Sequence, residues 1–442
     1  MNGAKALLRR DITFAGSAFL SFNGMVGAGI FALPATLHRD FGAFGPWMFP
    51  IFGLLVLLIV LPFARLAALF PVSGGPVAYA AAFGPMASFQ AGWLYYLGRI
   101  TAQAANANVF AIYAASLWAP LGGAVGRAAT ILLLIGTLTL INIVGVGRAI
   151  RALDLLTLLK ATPLIGLAIW GLIEAGSTLP LPIAAPALSE FEAAALIVLY
   201  AFVGFENNIV PADETANPAR TIPRALIVTV AGTAALYFLV QLAYLAVMPA
   251  GAAPEAPLAV CAETLIGPAG ALLVAATALA SVSGNISGSM TSTPRVTFAL
   301  AREGLLPSWF GAVNERYATP ANSILFMGLA GAALAISGSF VWLAIVSTLA
   351  RLVVYAASIA ALPAAQRRLG LKNGALTFAL MGAGLAVCLW AAAQSKWQSW
   401  AMLAGLLAAG LLLYAVARRR SGSASPATVS SIQPPPSTRS PS

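Results

Sequence analysis

The chain has 442 residues, of which 60% are hydrophobic and 8% charged, and its mean hydropathy is +0.89. A sequence so poor in charge cannot clothe a water-soluble globule, so the composition excludes a soluble enzyme or binding module and sets the lipid bilayer as the solvent. The formal net charge of +11 is scattered over short loops rather than gathered on one face, so no nucleic-acid partner is needed to explain it.

Apolar stretches long enough to cross about 30 Å of hydrocarbon run over residues 12–37, 45–70, 87–118, 128–146, 153–173 and 191–210, and then over 225–247, 269–299, 322–337, 340–362, 375–393 and 397–417. No alternating, strand-like run interrupts them. The expected fold is therefore an all-α membrane protein of about twelve transmembrane helices. Lys5, Arg9 and Arg10 precede the first stretch as the basic region of a signal peptide would, but that stretch exceeds a cleavable core and further spans follow, so it reads as helix one. With the N-terminus inside, one set of loops collects Arg148, Arg151, Arg220, Arg224, Arg302, Arg316, Arg367, Arg368, Lys372 and Arg418 to Arg420. The other set keeps Arg39, Arg127 and Lys396, and the positive-inside rule then places both termini in the cytoplasm. Brief loops and an alanine- and arginine-rich composition point to a bacterial inner membrane. Residues 1–420 read as one transmembrane domain and 421–442, rich in Ser and Pro, as a disordered cytoplasmic tail. Cys261 and Cys388 are too few for a disulfide framework, His38 stands alone at the end of helix one, and no metal or cofactor site is expected.

Two spans are broken in the middle, one by Asn23-Gly24-Met25-Val26-Gly27-Ala28-Gly29 and one by Phe202-Val203-Gly204-Phe205-Glu206-Asn207-Asn208. Backbone groups freed at bilayer depth cannot be satisfied by lipid, so such breaks must line a protein-enclosed cavity. They fall in helices one and six, which divides the chain into two sets of five spans, about 12–175 and 189–365, with 374–417 as an appendage. An odd number of spans per repeat inverts the second copy in the membrane. At the first break the amides of Gly27, Ala28 and Gly29 would form the positive N-terminus of a half-helix, suited to a carboxylate beside Met25. At the second, carbonyls around Tyr200 and Val203 would end a half-helix and suit an ammonium group. Together they complement an α-amino acid. The competing reading is that Gly24, Gly27 and Gly29 only let helices pack closely.

Gly27-Ala28-Gly29-Ile30-Phe31-Ala32-Leu33-Pro34, Phe70-Pro71-Val72-Ser73-Gly74-Gly75-Pro76, Phe202-Val203-Gly204-Phe205-Glu206 with Asp213-Glu214-Thr215-Ala216-Asn217-Pro218, and Ala301-Arg302-Glu303-Gly304-Leu305-Leu306-Pro307 follow one another in order. This set resembles the amino acid permeases of the amino acid–polyamine–organocation superfamily. The resemblance implies the inverted five-plus-five, leucine-transporter-type fold with discontinuous helices one and six, and secondary active transport by alternating access. It also makes an aromatic on helix six, Tyr200 or Phe202, a gate over the substrate.

Lys160 lies in mid-helix five, where a lysine costs about 2.5–3.5 kcal/mol on insertion scales. In relatives a lysine at this point takes the place of a sodium ion and ties helix five to helices one and eight. That implies sodium-independent transport, with Lys160 carrying a coupled proton or steadying helix one as a fixed cation; a lysine snorkelling to the cytoplasmic face is the alternative. Glu206, in the second break, reads as a proton-linked carboxylate, a cation's partner or an acceptor for freed amides. Arg99 and, one turn on, Gln103 share a face of helix three that by resemblance borders the substrate. Arg99 would pair with Glu206 or bind an acidic side chain. Asn285 and Ser289 of helix eight read as pocket residues or as packing contacts. With Met25, Tyr200 and Phe202 around the site, the expected cargo is a neutral or hydrophobic amino acid, coupled to protons; exchange, export and a channel are the alternatives. No nucleophile–base pair or paired aspartates point to an enzyme.

Overall fold

The computed structural model describes residues 10–70, 74–145, 149–176 and 184–420. Lys5, Arg9, Pro71-Val72-Ser73, Arg148 and the 421–442 tail lie outside them. The elements, in chain order, are α1 (Phe14–Met25), α2 (Ala28–Phe41), α3 (Met48–Leu69), α4 (Pro76–Ala80), α5 (Pro85–Leu117), α6 (Ala124–Val144) and α7 (Ala149–Ala175). The second half holds α8 (Leu188–Tyr200), α9 (Pro218–Val247), α10 (Pro257–Ile266), α11 (Pro268–Ser292), α12 (Pro294–Arg302), α13 (Ala321–Ser337) and α14 (Phe340–Ala360). Then come α15 (Leu362–Arg368), α16 (Ala375–Ala393) and α17 (Trp397–Arg420). The fold is all-helical; the described residues form only isolated β-bridges, such as Ile12 with Thr215.

Helix packing carries the inverted repeat. Let α1 with α2, then α3, α5, α6 and α7, be the five spans of the first repeat, and α8 with its continuation, then α9, α11, α13 and α14, those of the second. The third span of the first repeat packs on the fifth of the second (α5 on α14), and the fifth of the first packs on the third of the second (α7 on α11). Second packs on second (α3 on α9) and fourth on fourth (α6 on α13). A short helix follows the second span in each repeat, α4 and α10, as the symmetry requires. Helices α16 and α17 pack outside, α16 on α3 and α14, α17 on α5 and α14.

Three of the expected spans differ from the sequence expectation. The 269–299 stretch is two helices, because Pro294 supplies no amide to continue α11 and starts α12, whose buried Pro294, Thr297 and Leu300 recur every three residues on one side. Within the second break the chain forms a 3₁₀ turn, Phe205–Asn208, and further turns follow rather than a regular half-helix; Asn207, Asn208 and Pro211 are poor helix formers. Residues 42–47, partly assigned to helix two, form a 3₁₀ segment around Pro46. His38 is buried, donates from Nε2 to the Pro249 carbonyl at 2.8 Å and meets Tyr244 edge-on, so it fastens the end of α2 to the loop after α9.

Candidate functional site

After Met25 the backbone leaves the helix at Val26 (φ −77°, ψ 81°) and Gly27 (φ −125°, ψ −141°), then re-enters one at Ala28. The carbonyls released there are met from three neighbouring helices. Lys160 of α7, 1% exposed, donates its ammonium to the carbonyls of Asn23 (3.2 Å) and Val26 (3.0 Å), and to the Asn23 side chain. From α11, Ser281 donates to Val26 O at 3.1 Å and Asn285 to Asn23 O and Gly24 O at 3.0 Å each. From α9, the Tyr237 hydroxyl donates to Met25 O at 3.0 Å. Lys160 does not reach toward the membrane surface: its ammonium sits where helices one, five and eight meet, the position that offsets the cost of a charge at bilayer depth.

On the amide side, Gly27 N is taken by Met25 O (2.9 Å) and Ala28 N by the Asn106 side chain (3.0 Å). Of the three amides expected to be open, the Gly29 amide is the one with no partner among the described residues. The other two are occupied because Asn106 of α5 caps the half-helix and Gly27 closes a tight turn.

The second break begins where α8 ends at Tyr200. Gly204 is left-handed (φ 112°), and a Cβ there would lie 2.5 Å from Gly24 O; one on Gly24 would lie 2.4 Å from Gly204 O. A Cβ on Gly29 would come within 2.9 Å of Ala201 Cα. The glycines thus serve both readings, unwinding the helix and letting the two breaks touch. Glu206 is fully buried; its Oε2 accepts from Gly204 N (3.1 Å) and from the Tyr355 hydroxyl (2.8 Å), while Oε1 has no partner. It acts as an acceptor for a freed amide and makes no ion pair with Arg99; among the described residues the ion pair is Arg39 with Asp40. Arg99 instead donates from Nε to Thr293 (3.2 Å) and from Nη1 to Asn207 (3.1 Å), and lies over the Tyr95 ring at 5.9 Å.

Between the breaks lies a polar chamber walled by the first break, by Arg99, Gln103 and Asn106 of α5, by Tyr200 and Val203, by Asn285 and Ser289 of α11, and by Arg351 of α14. The structure therefore brings together Met25, Gly27, Ala28, Gly29, Arg99, Gln103, Tyr200, Val203, Asn285 and Ser289, as the sequence grouped them. Phe202 is not among them. Its ring packs away from the chamber against Tyr237 (5.8 Å) and Phe49 (6.5 Å), because two residues of turn past Tyr200 rotate it to the other side. Tyr200 does face the chamber, with its hydroxyl accepting from Asn106 (3.3 Å) and its ring edge-on to Phe340. Arg351 and Asn106 escaped the sequence reading, although a charge within the apolar 340–362 stretch is the same signal that marked Lys160. About 20 Å³ is open to water-sized centres, room for about one water. The chamber is narrow and takes a larger molecule only after it widens.

A family model described as amino acid permease matches residues 12–417. The chain is 30% identical over 428 residues to an uncharacterized transporter of Mycobacterium tuberculosis, covering 93% of this chain and 92% of that one. It is 28% identical over 299 residues to a cadaverine/lysine antiporter of Escherichia coli, covering 66% of this chain and 67% of that protein. Its fold is similar to that in the crystal structure of MhsT in complex with L-phenylalanine, with a TM-score of 0.62 and 13% identity over 86% of this chain and 98% of that one. The likeness to MhsT speaks for architecture alone, whereas the family match spans both breaks, Lys160 and the chamber. The chain belongs to the amino acid permease family.

Proposed function

We propose that this transporter moves amino acids across the cytoplasmic membrane by alternating access, coupled to protons and independent of sodium. The repeats, about 12–175 and 189–365, would rock about the chamber, with 374–417 standing outside them. The observation that carries the reading is Lys160, whose ammonium lies 3.2 and 3.0 Å from the carbonyls of Asn23 and Val26. A fixed cation there leaves no room for a sodium ion, and a lysine that loses its proton releases the two halves of helix one, which is a means of coupling. The α-carboxylate would dock at the open Gly29 amide on the positive end of α2. The neutral or hydrophobic cargo expected from sequence rested partly on Phe202, which packs elsewhere, and is not retained.

Uptake of labelled amino acids into liposomes holding the purified protein tests this, with imposed proton or sodium gradients and with or without internal amino acid. Uptake driven by a proton gradient, indifferent to sodium and reduced at least about tenfold in Lys160→Ala is expected, since that substitution removes the charged donor that Asn23 and Val26 share across the break. The relative named as an antiporter favours a second reading, exchange, in which uptake needs internal amino acid and Lys160 has a purely structural role. Uptake that fails to saturate would instead mark a channel.

A further inference from the structure

Arg351 stands at the middle of α14, is 2% exposed and lines the chamber. Its Nε is buried with no acceptor, and no described residue forms a hydrogen bond or ion pair with its guanidinium. A guanidinium at bilayer depth is sustained by a counter-charge or by facing a polar cavity, and Arg351 has only the second. Arg99, on the same chamber, spends Nε and Nη1 on the neutral oxygens of Thr293 and Asn207, so its charge is uncompensated as well. Gln103, one turn beyond Arg99, has both amide atoms buried without partners. No acidic side chain is part of the chamber lining. Glu206 is turned to Tyr355 and the Gly204 amide, outside that lining.

An α-amino acid brings one carboxylate, and the open Gly29 amide takes it. Two guanidinium groups then remain without a counter-ion. We infer that the transported amino acid carries a second carboxylate, bound by Arg351 and Arg99 with Gln103 beside them; the cargo class is that of aspartate and glutamate. A bidentate carboxylate on Arg351 would give the buried guanidinium the partner it lacks. A lysine-like or diamine cargo would add positive charge to the same space, so the cargo named for the Escherichia coli relative does not carry over. A neutral side chain would leave both guanidinium groups unpaired. The inference rests on the amino acid transport reading and deepens it.

Initial uptake rates of L-glutamate and L-aspartate, compared with their amide isosteres L-glutamine and L-asparagine and with L-leucine and L-lysine, test the inference in proteoliposomes of wild type, Arg351→Gln and Arg351→Lys. Thermal unfolding of the detergent-solubilised protein with each amino acid gives a readout independent of transport. The wild type is expected to favour the acids over their amides by at least about tenfold, as a site with buried donors rejects an analogue that cannot satisfy them. Arg351→Gln should lose most of that preference, with the loss falling in KM for the acids, and Arg351→Lys should keep part of it. Amides or leucine carried by the wild type as well as the acids would overturn the second-carboxylate subsite and leave amino acid transport standing. An absence of both uptake and thermal shift with every amino acid would overturn the two together.

Discussion

Tyr200 and Phe202 stand two residues apart and face opposite ways, because α8 ends between them and the turn that follows swings the second ring off the chamber. Tyr200 couples the chamber wall to its neighbours: its hydroxyl accepts from Asn106, which in turn caps the Ala28 amide, and its ring rests on Phe340. Phe202 fills a slot between Phe49 and Tyr237. The two alanine variants should therefore fail differently. Tyr200→Ala is expected to raise KM for the transported amino acid by about tenfold as well as to lower the unfolding temperature, since it opens the chamber and removes a buried ring from Phe340. Phe202→Ala is expected to cost about 3–5 kcal/mol of stability, the usual range for truncating a buried phenylalanine, with KM near wild type in the protein that survives. Steady-state uptake and thermal unfolding on the same preparations separate the cases, and a wild-type KM in Tyr200→Ala would take that ring out of the binding site.

At the scale of elements, the contact between the two broken helices is made by backbone on backbone. Gly24 and Gly204 approach so closely that a methyl group on either would lie 2.4 to 2.5 Å from the other's carbonyl oxygen. Gly204 carries a further demand, its left-handed φ of 112°, which costs an L-residue about 1–2 kcal/mol before any clash is counted. Gly204→Ala is thus expected to damage the protein more than Gly24→Ala, and both more than Gly166→Ala, where a Cβ would meet nothing within 4 Å. The yield of monodisperse protein on size exclusion measures the order, and equal yields for all three would mean that the breaks do not touch. The first break was legible because Gly24, Gly27 and Gly29 inside an apolar run weaken the helix there, and the second because Gly204 stands with Glu206, Asn207 and Asn208 inside another. The fate of the chain beyond them was less so. The chain past the second break is turns and 3₁₀ because Asn207, Asn208 and Pro211 all disfavour a helix, where the sequence reading had a second half-helix resume. Helix α10 was missed because ten residues are too short for a span, and its place is set by pseudo-symmetry with α4, which no local pattern encodes. Arg99 as a chamber residue was readable from its face shared with Gln103, while its partners were not: Thr293 and Asn207 come from segments far along the chain, and the Glu206 pairing that charge alone suggested lost to the Gly204 amide and Tyr355.

For the whole molecule, the two-fold relation between repeats fixes which loop ends lie together but not which side of the membrane they face. The end of the bundle that holds Arg65, Arg220, Arg224, Arg302, Arg316, Arg367, Arg368 and Lys372 also holds the start of α1, bridged through Ile12 to Thr215, and the end of α17. Its opposite end, where His38 meets Pro249, carries Arg39, Arg127 and Lys396. Of these, Arg39 is paired with Asp40, so the contrast in net positive charge between the two ends is sharper than the count of lysines and arginines. A translocating loop resists carrying lysine and arginine across the membrane, so the basic end, with the start of α1 and the end of α17, is expected to be cytoplasmic. Lys372 and Lys396 are exposed at opposite ends, and the native Cys261 and Cys388 are buried, so introduced cysteines can be read with little background. In intact cells a membrane-impermeant maleimide should label Lys396→Cys and spare Lys372→Cys until the membrane is permeabilised. The reverse pattern would turn the molecule over, put α2 and the Gly29 amide on the cytoplasmic side of the chamber, and make the half-helix that receives the carboxylate part of the exit route rather than the entrance.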